Sequence, residues 1–141
     1  MHRMLLVSAL GSTIVALGPT PADAVPIDHP CGGERISSYK PLSDGGRSIG
    51  RVSLWYSSAN GGTNCVMTET YLGRSATTWA SLDVQKTGGG VRSDTDSGNY
   101  AGFAAVQLGG TDGHCVRWAG GTGSESGPHD SFHQDNWVFC G

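Results

Sequence analysis

From about residue 51 onward, short stretches of alternating apolar and polar side chains are separated by glycine and asparagine. In 51–56, Val52, Leu54 and Tyr56 fall on one side of an extended chain and Ser53 and Trp55 on the other, the period of two that a strand imposes. Asn60-Gly61 follows within 57–62. That dipeptide tolerates the positive φ of a tight hairpin, so a return strand is expected from Thr63 to about Leu72. Residues 77–86 repeat the alternation, with Ala80, Leu82 and Val84 on one face and Trp79, Ser81 and Asp83 on the other. Gly88-Gly89-Gly90 then turns the chain, and a polar stretch through Asp94, Asp96 and Gly98 leads into a strand over 100–108. After a turn at 109–113, strands are expected at 114–119 and 137–140, with 120–128 a loop too rich in glycine to pack. The pattern predicts an all-β domain, a small sandwich or barrel of about seven antiparallel strands.

Composition sharpens this. The chain holds 23 glycines, four Trp and four Tyr among many Ser and Thr, and lacks the Leu, Glu, Lys and Ala runs that build helices. Its net charge of −3, with Lys and Arg scattered, argues against nucleic acid or anionic lipid as primary partner. A neutral glycan or a protein surface fits better. Residues 1–24 read as an export leader: His2 and Arg3, an apolar run from Met4 to Leu17, Pro19 and Pro21, then Ala22-Asp23-Ala24. Cleavage after Ala24 leaves a chain beginning at Val25, and 25–141 is the length of one domain. The apolar run is short of the about 20 residues that span a bilayer, and no second such run follows. The expected product is secreted, without a membrane span.

All four cysteines, Cys31, Cys65, Cys115 and Cys140, lie beyond the leader. An exported chain with evenly numbered, widely spaced cysteines reads as disulfide-bonded, and the absence of Cys-x-x-Cys argues against zinc. Three pairings are possible. Chain neighbours often pair in space, which favours Cys31 with Cys65 and Cys115 with Cys140.

Several blocks together carry a family likeness: Cys31-Gly32, Leu54-Trp55-Tyr56-Ser57, the run from Asn60-Gly61 to Cys65-Val66-Met67-Thr68, Asp96 to Gly102, Gly113-His114-Cys115-Val116-Arg117-Trp118-Ala119-Gly120, and Cys140-Gly141. In this order they resemble the spore-associated protein A family of filamentous, spore-forming actinobacteria, over essentially the whole of 25–141. The resemblance implies a small secreted protein found with spores or aerial cells, for which no enzymatic activity is established, and so a location, retention on the spore or cell surface, more than a mechanism. The acidic, histidine-bearing stretch 124–136 departs from the family pattern.

Candidate chemistry is sparse, and nothing requires a cofactor. His129, His133 and Asp135 form the densest set of metal ligands, with the histidines spaced to share a helix face, but Gly127-Pro128 before them reads as a turn and the stretch as a solvated loop. Asp94 and Asp96, with Ser93, Ser97 and Asn99, offer oxygen ligands for calcium without the spacing of an EF-hand. No Gly-x-Ser-x-Gly elbow is present, and Glu69 is the one carboxylate flanked by apolar residues in an expected strand. Trp55, Trp79 and Trp118 are candidates for stacking on sugar rings or anchoring a partner, Trp55 foremost. A rigid loop at 120–128 would suit a protease inhibitor. The expected function is a non-catalytic surface-associated protein, or a carbohydrate- or protein-binding module.

Overall fold

A computed structural model describes residues 30–141; the leader and the start at Val25 lie outside them. Nine strands follow in order: β1 (Glu34–Arg35), β2 (Lys40–Asp44), β3 (Arg47–Ser57), β4 (Thr63–Thr70), β5 (Thr77–Gln85), β6 (Val91–Gly98), β7 (Phe103–Gly109), β8 (Cys115–Gly123) and β9 (His129–Val138). One 3-10 turn at Gly73–Ser75 separates β4 from β5. All pairings are antiparallel. One sheet runs β1-β3-β4-β7, with β2 also on β3, and the other runs β6-β5-β8-β9. The fold is a two-sheet sandwich, not a closed barrel. Among the described residues no helix is long and apolar enough to cross a membrane.

The alternation builds the core. Val52, Leu54, Val66, Ala104 and Val106 point inward from the first sheet and meet Ala80, Leu82, Val84, Val116 and Trp118 from the second, with Leu42 and Ile49 closing one end. Burying each of the larger aliphatic side chains contributes about 1.5–3 kcal/mol. The sheets also meet through threonines: the Thr122 hydroxyl donates to Thr70 Oγ1 at 2.8 Å and lies 3.0 Å from Thr78 Oγ1.

Aspartates lace the sandwich edges. Asp96 on β6 accepts the Ala105 N–H of β7 at 3.0 Å and the Tyr100 hydroxyl at 2.5 Å. Arg92 donates to the Gly109 and Gly110 carbonyls at 2.9 and 3.2 Å. At the opposite edge, Asp130 on β9 accepts the Ser43 N–H of β2 at 2.7 Å. Each carboxylate satisfies a backbone donor that would otherwise face an unpaired strand edge. Disulfides join Cys31 to Cys65 and Cys115 to Cys140. They fit an oxidising compartment.

The structure corrects several expectations. The described residues form nine strands where about seven are expected, because the short β1 and β2 carry almost no apolar pattern and β6 is a largely exposed edge. Residues 120–123 belong to central strand β8, where Gly120, Gly121 and Thr122 are buried. A Cβ at Gly120 would lie 2.0 Å from Thr68 Oγ1 of the opposite sheet, so glycine here permits close packing. That removes 120–123 from the 120–128 inhibitor loop and leaves 124–128, a tight turn closed by Gly127 N–H to Ser124 O at 3.0 Å. Residues 129–135 form a strand, not a solvated loop.

Candidate functional site

The two outer faces of the sandwich have different chemistry. On the five-stranded sheet, the face away from the core carries a second cluster, Cys31, Cys65 and Met67, packed with Trp55, Phe103 and Ala105. Trp55, the foremost sequence candidate, is a wall of this cluster, and its indole donates to Ser53 Oγ at 2.9 Å. Glu69 is only 3% exposed. Arg51 holds it through Nε and, at 3.0 Å, through Nη2, a bidentate pair. These hydrogen bonds raise the Arg51 pKa above its ordinary value. The Arg51 guanidinium also lies 3.9 Å from the centre of the Tyr39 ring, and that of Arg35 lies 4.1 Å from it. Glu69 is therefore committed to a structural ion pair.

The outer face of the four-stranded sheet is laid out by strand alternation. Leu82 and Val84 go inward, so Trp79, Ser81 and Asp83 go outward from β5. Val116 and Trp118 go inward from β8, so Arg117 and Ala119 go outward. On β9, Ala119 pairs with His133, and an irregularity in the pairing of Val116 to Trp118 brings Trp137 over Arg117. Trp79, Ser81, Asp83, Arg117, Ala119 and His133 line a shallow cleft of ≈ 260 Å³, extended at one side by Gln134 and Asp135.

Its geometry is specific. Trp79 lies across β8 above Gly121, where a Cβ would fall 2.7 Å from the indole nitrogen. Any larger residue would push the ring off the sheet, so the glycine lets the half-buried indole lie against the strands. His133 flanks it, with ring centres 5.5 Å apart. Two and four residues along β5, Ser81 accepts a hydrogen bond from the Thr95 hydroxyl and Asp83 accepts one from Arg117 at 3.0 Å. The Arg117 guanidinium sits 4.4 Å from the Trp137 ring centre. The row of Trp79 and the row of Asp83 and Arg117 are about 13 Å apart along the strand. The result is a polar floor with the Trp79 indole at one end and Arg117, backed by the Trp137 ring, at the other, held on rigid strands.

Of the three tryptophan candidates, only Trp79 has its ring on this face, and Trp118 borders the cleft from the core side. Trp118 is corrected to the core: it is 3% exposed and packs on Phe132 at 4.7 Å between ring centres. Trp137, Arg117 and Gln134 were not foreseen. The inward pair Val116 and Trp118 carried the signal for Arg117, but nothing in the sequence marks the irregularity that re-aims Trp137. The metal candidates are also corrected. His129 and His133 sit four residues apart on a strand, about 13 Å, whereas two zinc ligands each lie about 2 Å from the ion. Among the described residues no group of three or more His, Cys, Asp or Glu gathers to hold a metal. The calcium candidate Asp96 has both carboxylate oxygens engaged by Tyr100 and Ala105. Comparison with known protein families, curated proteins and solved structures finds no match to this chain.

Proposed function

We propose that this is a secreted, non-catalytic glycan-binding protein retained on the spore or cell surface of a spore-forming actinobacterium, with the outer face of the four-stranded sheet as its binding site. The observation that carries the reading is the Trp79 indole laid over Gly121 beside the hydrogen-bonding row of Ser81, Asp83 and Arg117. A sugar ring has a face of C–H bonds that stacks on a flat indole and an edge of hydroxyls that need fixed donors and acceptors. A rigid sheet bearing both meets that demand without costly rearrangement on binding. The net charge of −3 and the pairing of Asp83 with Arg117 favour a neutral ligand. The leader, the two disulfides and the family resemblance support export and surface retention.

Two experiments test this. Purified protein is mixed with insoluble cellulose, chitin and peptidoglycan, and the bound fraction is measured for the natural chain and for Trp79→Ala. Retention on at least one polymer, lost in the variant, is expected; no retention on any of the three overturns the glycan reading. Fractionation of a sporulating culture with mass spectrometry should find the chain starting at Val25 on washed spores. Protein found only in the medium overturns surface retention.

A further inference from the structure

We infer that the site takes the interior of a linear glycan, with sugar units seated on both sides of Trp79, and not a chain end or a single sugar; this rests on the glycan reading above. A second cleft of ≈ 230 Å³ lies on the far side of Trp79, lined by Gly123, Ser124, Glu125, His129, Asp130 and Ser131. The Trp79 indole is a wall common to both clefts, so the stacking platform stands midway along one groove.

The register fixes the length of that groove. Gly123 pairs with His129 at one end of β8, and Arg117 lies six residues along the same strand at the other. At the rise of a strand this is about 20 Å. A single sugar resting on Trp79 cannot reach Arg117 and Glu125 together, whereas successive units of an extended chain can. The far cleft has its own polar groups. Glu125, His129 and Ser131 are exposed there, and the His129 ring is held by its Nδ1 at 3.0 Å from the Gly127 carbonyl. Asp130 holds this part of β9 in place: its carboxylate turns toward the opposite sheet, where it accepts the Ser43 N–H, and it also accepts the Ser131 N–H. The stretch 124–136, which departs from the family pattern, supplies most of this cleft.

The test is calorimetric titration with β-1,4-linked oligomers of glucose and of N-acetylglucosamine, from one unit to six. Affinity is expected to rise at least tenfold between two units and six. Ser131→Arg, which fills the far cleft, is expected to bring the six-unit oligomer down to the level of the two-unit one. Equal affinity for short and long oligomers overturns this inference and leaves the glycan reading standing. Binding to none of the oligomers, together with no retention on the polymers, overturns both. If Ser131→Arg does not fold, the length series on the natural protein decides alone.

Discussion

Trp55 and Trp79 occupy equivalent places in the sequence pattern, each out of phase with an inward aliphatic row, yet the two outer faces they stand on have opposite characters. On the five-stranded sheet, Trp55 packs around the Cys31–Cys65 disulfide, Met67 is buried and Arg51 holds a buried Glu69. On the four-stranded sheet, Trp79 is half-buried as Trp55 is, but a cleft lies beside it, floored by Ser81, Asp83, Arg117 and Ala119. What separates these faces is the neighbour set and not the residue type. Cysteine, methionine and phenylalanine beside Trp55 make a second small core. Serine, alanine and glycine around Trp79 leave room above the sheet.

If the five-stranded face is structural and the four-stranded face is for binding, substitutions should separate stability from retention. The largest effect on stability is expected from Cys31→Ser with Cys65→Ser, which opens a loop with a sequence separation of 34 residues and costs about 3.8 kcal/mol in the chain-entropy model. Urea unfolding measures it, and polymer retention at low urea should be unchanged. Glu69→Gln, which removes the carboxylate facing Arg51, should cost about 2 kcal/mol as the loss of a charged hydrogen-bonded pair, again without altering retention. A smaller effect concerns the edge clasp. Hydrogen bonding to Asp96 raises the Tyr100 pKa. A group whose folded value is raised lends stability that is complete below its unfolded value, about 10 for tyrosine, and is lost as pH rises through the folded value. The natural protein should therefore lose stability above about pH 10, and Tyr100→Phe should lose less of it across the same range in thermal unfolding.

Much of the fold was legible because β5 and β7 bury one alternating row, β3 carries Val52 and Leu54 in the same period, and Asn60-Gly61 marks the β3–β4 turn; β4 is buried on both faces. What was not legible follows from tertiary contact. Gly120 and Gly121 read as loop because composition cannot distinguish glycine needed for flexibility from glycine needed for close approach, and both are the latter. Asp94 and Asp96 read as a polar stretch between strands and not as a strand, since an edge strand needs no apolar row. For the site, Trp79, Ser81 and Asp83 were already grouped on one face by their spacing. Their partners on β8 and β9 depend on strand order, which a single sequence does not carry.

The measurement that tests the division of labour most directly is retention on cellulose, chitin and peptidoglycan for Trp55→Ala and Trp79→Ala, each with its unfolding free energy measured in urea. Trp55→Ala is expected to be the less stable variant and to keep its retention, whereas Trp79→Ala stays folded and loses at least tenfold in affinity, about 1.4 kcal/mol. Loss of retention in Trp55→Ala with full retention in Trp79→Ala would contradict it and move the binding surface to the opposite sheet.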